Sequence, residues 1–120
     1  MSDYTLKLLK AIDNDGIISL IKDSDKKALA DICLKMYNET KDATFGHFIL
    51  SLARVKYNSL YGMIAKNQAK SFIVGFVKPL LEDVKANKDK LDNGDIEFIK
   101  AFFSIDLFAT KEIKEILDTI

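Results

Sequence analysis

The chain has 120 residues, of which 48% are hydrophobic and 30% are charged, and its 18 basic residues balance its 18 acidic residues. This length and composition fit one globular domain over residues 1–120, and they exclude a disordered chain or two domains with separate cores. No apolar run approaches the roughly 20 residues that a membrane-spanning helix needs, and Asp3 stands where a secretory signal would be basic. We therefore expect a cytoplasmic protein that makes no use of a membrane.

Apolar residues recur with a helical period along the whole chain, which contains only five Gly and one Pro. A first helix is predicted from about Asp3 to Asp13, closed by the turn-forming triplet Asn14–Gly16 and followed by a short apolar turn or helix, Ile17–Ile21. Ser24 is the predicted N-cap of a second helix that runs to about Asn38. This helix should bury Leu29, Ile32, Cys33 and Met36 and expose Lys26, Lys27, Asp31 and Lys35.

The third helix is predicted to be long and central. It should start with Thr44 as its cap and reach about Lys66. Its central position is expected because apolar residues cover most of its circumference. Arg54 lies in the middle of its one polar face, whereas Lys56 falls among apolar positions, and the next corner is expected at Asn67–Gln68. The polar face comprises His47, Ser51, Arg54, Asn58 and Tyr61, and the apolar surface is widened by Leu50, Ala53, Tyr57 and Leu60.

Three further helical elements complete the predicted fold. The fourth segment, Ala69–Val84, should kink or restart at Lys78, because Pro79 cannot donate a backbone hydrogen bond and clashes with the preceding turn. A fifth helix is predicted over Asp95–Ala109, and Thr110 can cap a last helix. The predicted fold is all-α: a compact bundle of five to six helices with a long central third helix.

Charge is segregated along the sequence. Ala43–Leu81 contains five bases and no acid, whereas residues 82–120 contain ten acids and six bases. The acid-free stretch Ala43–Leu81 is either the solvated side of a bundle or a surface that contacts phosphates or an acidic partner. The separation of charge also favours head-to-tail self-association. The bases of the acid-free stretch are Arg54, Lys56, Lys66, Lys70 and Lys78.

The sequence contains none of the usual catalytic or cofactor-binding motifs. With one His and one Cys, we expect neither the usual metal clusters nor a His-dependent catalytic triad, and an internal disulfide is excluded. Asp92, Asp95 and Glu97 flank a turn and are typical of acids at a helix start. There is no glycine-rich phosphate loop. We therefore expect no catalytic residue, no metal and no cofactor.

Three stretches carry a family resemblance. Ser24–Leu29 leads through a capped basic helix to the aromatic end Leu34–Asn38. Leu52–Tyr57 has a Leu-x-x-basic-aromatic character and is followed by the aromatic-glycine pair Tyr61–Gly62, and Phe98–Lys111 is a phenylalanine-rich segment. Together these stretches resemble the small helical subunit of type III-A (Csm) CRISPR effector complexes.

The resemblance implies a non-catalytic structural subunit of an RNA-guided ribonucleoprotein effector in antiviral defence. Several copies would stack head to tail beside other effector subunits and support the crRNA–target duplex through its backbone. By matching position, the RNA-binding residues would be Lys26, Lys27, Arg54 and Lys56, with Lys66 as a displaced substitute; Lys70 and Lys78 are added on charge alone. The alternative is a small helical protein–protein interaction module, such as an immunity, adaptor or viral inhibitor protein, whose basic face meets an acidic partner.

Overall fold

The structure is a computed structural model that describes residues 2–14, 16–58 and 62–120, with side chains for all of these except 14 and 62–66. The α-helices are α1 (Asp3–Asn14), α2 (Asp23–Thr40), α3 (Ala43–Arg54), α4 (Gly62–Phe72), α5 (Lys78–Ala86), α6 (Asn93–Phe102) and α7 (Lys111–Asp118). Short 3-10 helices lie at Ile17–Leu20, Lys88–Lys90 and Asp106–Phe108. A π-helical turn, Ile73–Val77, joins α4 and α5 into one run, so the described chain has six helices and the predicted all-α bundle is confirmed. None of the described helices is both long enough and apolar enough to cross a bilayer.

Phenylalanine rings connect the central helices through the core. Phe45 of α3 meets Phe98 of α6 edge to face at 5.6 Å between ring centroids, and Phe48 lies 5.9 Å from Phe102. Phe108 extends the cluster 6.5 Å beyond Phe102. All five rings are buried, so the apolar faces of α3 and α6 are held together mainly by aromatic packing.

The start of the chain follows the prediction. Helix α1 covers Asp3–Asn14. Gly16 adopts a left-handed conformation with φ of 69°, which residues other than glycine rarely adopt. The predicted short apolar helix follows at Ile17–Leu20 and buries its isoleucines. The turn between these elements is therefore encoded locally.

The start of α2 differs from the prediction because of contacts with a distant part of the chain. The helix begins at Asp23, so Ser24 lies within its first turn, and the N-cap residue is Lys22, whose side chain makes no cap hydrogen bond. Lys22 instead forms an ion pair of 2.9 Å with Asp106. The backbone N–H of Asp106 donates to Asp25 at 3.2 Å. These two contacts fix the helix start against the Asp106–Phe108 turn.

The predicted N-cap residue of α3 is also two residues too late in the sequence. Asp42 is the N-cap residue, and its carboxylate accepts a 2.9 Å hydrogen bond from the N–H of Thr44. Thr44 therefore donates the capping hydrogen bond through its backbone N–H and is not the N-cap residue. An aspartate in this position both satisfies an unpaired N–H and faces the positive end of the helix.

Helix α3 is not the long helix that the sequence predicts. It ends at Arg54, and Val55 takes an extended conformation. The N–H of Asn58 then donates to the carbonyl of Ser19 at 2.9 Å, so the chain runs along the first short helix instead of continuing α3. The prediction of one helix through Lys66 is wrong for this reason. Its calls on Leu60 and Tyr61 lie outside the described residues.

The burial pattern of α3 changes accordingly. Ser51, predicted on the polar face, is buried, whereas Leu50 is 65% exposed and Ala53 is exposed. Tyr57, which lies beyond the helix end, is 43% exposed. Leu50 and Ala53 therefore lie on the solvent-facing side of α3, and Tyr57 lies beyond its end, so these three residues do not widen the buried apolar surface.

The run from α4 to α5 confirms one prediction and corrects another. Asn67–Gln68 lies inside α4 rather than at a corner. The predicted restart at Lys78 is present: its N–H donates to the carbonyl of Ile73, five residues back, and Pro79 follows in the first turn of α5. The π-turn places Pro79 in the first turn of α5, where the absence of a backbone N–H is tolerated because no intrahelical hydrogen bond is formed there.

The last helices are shorter than predicted. Helix α6 ends at Phe102 instead of Ala109. Asp92 is its N-cap residue and accepts a 2.8 Å bond from the N–H of Asp95, as expected for a helix-start acid. Thr110 accepts a 3.2 Å bond from the N–H of Ile113 and caps α7, which confirms that prediction.

One turn between α5 and α6 contacts both ends of the chain. The side-chain amide of Asn87 donates to the phenol oxygen of Tyr4 at 3.1 Å. The ammonium group of the next residue, Lys88, donates to the backbone carbonyl of Thr119 at 3.5 Å. The start of α1 and the residue that follows α7 therefore both contact this turn.

Candidate nucleic-acid interface

Lys26, predicted to be exposed, is buried. Its side chain is 8% exposed, and its ammonium group donates to the main-chain carbonyl of Val55. Val55 directly follows α3, at the end of a helix where carbonyl groups lack intrahelical partners and negative partial charge accumulates. The lysine satisfies this carbonyl and offsets the helix dipole. The prediction of an exposed Lys26 is therefore wrong, and its charge is used inside the protein.

The contact between Lys26 and Val55 brings three exposed bases to one region. Lys27 follows Lys26 on α2, while Arg54 and Lys56 flank Val55, and all three are exposed. We call Lys27, Arg54 and Lys56 the basic corner. Its backbone is fixed on one side by α2 and on the other by the end of α3.

Lys56 owes its exposure to the early end of α3. In a continuous helix it would fall among apolar positions, but in the extended segment 55–58 it is exposed while the preceding Val55 is half-buried. The hydrogen bond from Asn58 to Ser19 holds this segment in place. Lys56 is therefore exposed, as Arg54 is, instead of being buried in the core.

The other candidate bases lie elsewhere or are engaged. Lys70 is exposed on α4. Lys78 is half-buried and forms an ion pair of 2.5 Å with Glu112 at the start of α7. The side chain of Lys66 lies outside the described residues. The acid-free stretch is therefore not one continuous basic patch on the described surface.

Acids border the basic corner. Asp23 and Asp31 are exposed on α2, the helix that carries Lys27. The basic corner therefore consists of three cations with acidic side chains close by. This arrangement favours a few defined contacts with a partner over broad electrostatic attraction.

The outer face of α3 adds a feature that sequence reasoning missed. Leu50 is the most exposed of the large hydrophobic side chains in the described chain, at 65%, and it lies one helical turn before Arg54. His47 and Ala53 are exposed on the same helix. The sequence signal was present in the helical spacing of these residues, but the expectation that apolar positions around most of the α3 circumference are buried placed Leu50 on the apolar surface.

A cleft of about 550 Å³ opens where the extended segment meets α4 and the start of α7. Tyr57 lines it together with Leu20, Ile73, Val74 and Leu107. We call this the Tyr57 cleft. Its polar lining includes Lys22, Asp25, Lys70, Asp106 and Glu112. The cleft could not be predicted from the sequence, because its walls come from four separate parts of the chain.

Electrostatics in and around these surfaces are set by local pairs. The hydrogen bond and charge of Asp106 raise the pKa of Lys22 above its usual value.

Burial raises the pKa of the Cys33 thiol to about 12, which leaves it protonated and inert, as expected for a buried cysteine. Among the side chains that the structure describes, no group of three or more His, Cys, Asp or Glu could hold a metal ion.

Comparison with known proteins adds no residue to the site. No protein-family model, curated protein or solved structure matches the chain. A function for this surface therefore depends on the charges, burial and contacts of the chain itself and on the resemblance carried by its three stretches.

Proposed function

We propose that the chain is a non-catalytic structural subunit of a cytoplasmic CRISPR RNA-guided effector, where it binds the backbone of crRNA and target RNA. The observation that carries the proposal is the basic corner: Lys27, Arg54 and Lys56 are exposed around the buried contact between Lys26 and Val55. Arginine and lysine side chains supply most contacts to phosphates. The family resemblance supports the same role, because three of its matched positions form this corner.

The mode of binding follows from the small number of charges. Three cations on a fixed backbone can contact about three phosphates, which gives a salt dependence with a slope of about −2 on single-stranded RNA. One copy would therefore bind weakly. Several copies along one strand would bind much more tightly, because each further contact is intramolecular.

Fluorescence anisotropy of labelled single-stranded RNA tests the proposal at about 50 mM and about 200 mM salt, where phosphate contacts differ strongly in strength. Each of Lys27→Gln, Arg54→Gln and Lys56→Gln should weaken binding and reduce the salt slope by about 0.7. Absence of binding at the lower salt concentration would overturn the proposal.

Lys114→Gln provides the matched control. Lys114 is exposed on α7, within the acid-rich last third of the chain, and its substitution removes the same charge. It should leave RNA affinity unchanged. An equal loss in this variant would show that net charge, rather than the basic corner, governs binding.

Self-association is the second part of the proposed role. The acid-free stretch Ala43–Leu81 and the acid-rich residues 82–120 are complementary in charge, so copies would stack head to tail and add to the contacts with other effector subunits. Sedimentation velocity with and without RNA should show larger, salt-sensitive assemblies on RNA. A protein that stays monomeric on an RNA several sites long would contradict this part.

The exposed Leu50 favours a second candidate, a protein–protein interaction module that meets an acidic partner. An apolar side chain next to an arginine is typical of the centre of a protein interface, whereas phosphate contacts require no such group. Leu50→Gln separates the two candidates: it should leave RNA binding intact and should abolish binding to a protein partner. Salt-sensitive RNA binding that is weakened in Arg54→Gln and unchanged in Leu50→Gln would exclude this second candidate.

A further inference from the structure

We propose that the Tyr57 cleft binds a small apolar molecule that carries one carboxylate, with the carboxylate at Lys70. This inference is independent of the proposed RNA-binding role, because the basic corner supplies none of its apolar contacts. It concerns a surface formed by α4, the π-turn, the extended segment and the start of α7.

The apolar part of the ligand follows from the lining of the cleft. Tyr57 is 43% exposed and Val74 is 58% exposed, which places both among the most exposed large hydrophobic side chains of the described chain. Leu20 and Ile73 also line the cleft and are buried, each at 8% exposure. The volume of about 550 Å³ lies within the range of about 300–1,000 Å³ that small-molecule sites occupy. Covering these side chains with an apolar body removes their exposed surface from water.

The charge of the ligand follows from the ion pairs around the cleft. Asp106 is paired with Lys22 at 2.9 Å, and Glu112 with Lys78 at 2.5 Å. Asp25 accepts the backbone N–H of Asp106. Lys70, by contrast, is exposed and forms no ion pair with any residue that the structure describes. It is therefore the cation available to an anionic group.

The acids of the cleft limit that group to a single negative charge. Asp25, Asp106 and Glu112 all line the cavity, and these carboxylates repel a doubly charged phosphate about twice as strongly as a singly charged carboxylate at the same distance. A carboxylate brings one charge and two acceptor oxygens, which suits a lysine ammonium. An aromatic or aliphatic monocarboxylate therefore fits the cleft better than a nucleotide phosphate.

The test uses the full chain and three matched probes in calorimetric and NMR titrations: naphthylacetate, the neutral naphthylacetamide and the cationic naphthylmethylamine. Naphthylacetate should bind about threefold or more tightly than the amide, as expected for one exposed ion pair. Lys70→Gln should remove this difference and leave the affinity for the amide unchanged. Val74→Ser should weaken all the probes that bind, because it removes apolar contact area.

Lys114→Gln again serves as the control for a change in charge, since Lys114 is exposed outside the cleft. Lys70 and Val74 are both exposed, so their variants should unfold at nearly the same temperature as the original protein, which a thermal melt verifies. Equal affinity for acetate and amide, a preference for the amine, or no binding of any probe at millimolar concentration would each overturn the proposal. Loss of the acetate preference in the control variant would do the same.

Discussion

The carboxylate of Asp95 accepts a 2.9 Å hydrogen bond from the hydroxyl of Thr5, across 90 positions of the sequence. Thr5 is fully buried and Asp95 is 2% exposed. The same carboxylate oxygen also accepts the backbone N–H of Ser2 at 3.0 Å. Helix α1 is thereby tied to the first turn of α6 by an acid that sequence reasoning assigned only to a helix start.

Asp95→Ala should lower the free energy of unfolding by about 2–3 kcal/mol, because it leaves the buried hydroxyl of Thr5 and the N–H of Ser2 without their acceptor. Urea unfolding at neutral pH measures this loss. Thr5→Val, which removes the hydroxyl as well, should cost less in the Asp95→Ala background than in the original chain. Asp89→Ala, at an exposed acid nearby, should change stability little, and equal effects of the two Asp substitutions would contradict the assignment.

Substitution by Met should lower the stability of the protein at Lys26 but not at Lys27. Lys26→Met keeps the apolar stem but removes the donor to the Val55 carbonyl, so it should lower the free energy of unfolding by about 1.5–3 kcal/mol. Lys27→Met should leave stability within about 0.5 kcal/mol, as is usual for exposed positions. Chemical denaturation of both variants makes the comparison, and a stable Lys26→Met protein would show that the Val55 contact contributes nothing.

Cys33 should make the folded protein less stable in alkaline solution. Burial raises the pKa of its thiol from 9.0 to about 12, so between these values the unfolded chain loses a proton that the folded chain keeps. Stability should therefore fall as pH rises through this range, by up to about 1.4 kcal/mol per pH unit. Cys33→Ala lacks the titrating group, and the stability difference between the two proteins, measured by denaturation at each pH, isolates this slope. A difference that is independent of pH would contradict a buried thiol.

Asp92 should make the folded protein less stable in acidic solution. Its cap hydrogen bond from the N–H of Asp95 lowers the pKa of its carboxyl below the usual 3.8. The stabilisation is present above that value and is lost as pH falls through the lower pKa of the folded state. Asp92→Asn keeps a good N-cap residue, so it should match the original protein at neutral pH and lose less stability near pH 3. Asp89→Asn should not flatten the acid dependence in this way.

The bundle could be predicted from the sequence because its signals are local. Helix α7 begins after Thr110 and buries Ile113 and Leu117, and each of these positions follows from capping and the helical period. The left-handed turn at Gly16 and the restart at Lys78 before Pro79 are similarly encoded by residue types with restricted or special backbone geometry.

The end of α3 could not be predicted, because the residues from Arg54 to Asn58 include no Gly or Pro and the apolar spacing continues past them. Beyond Arg54 the chain is instead held by contacts with parts far away in sequence: the N–H of Asn58 donates to the carbonyl of Ser19, and the ammonium group of Lys26 donates to the carbonyl of Val55. The burial of Lys26 has the same kind of origin, since only the fold reveals that a helix end needs its ammonium group. The exposure of Arg54 and Lys27 was correctly predicted, whereas the exposure of Lys56 depends on that unpredicted helix end.

The turn that contacts Tyr4 through Asn87 and Thr119 through Lys88 makes the backbone trace a nearly closed loop. A donor dye near Tyr4 and an acceptor dye near Thr119 would therefore lie close together in the native protein and separate when it unfolds. Energy transfer between the two ends would report global unfolding while leaving the basic corner and the Tyr57 cleft unlabelled. The same protein could then reveal, in a single titration, whether a ligand at either surface stabilises the whole bundle.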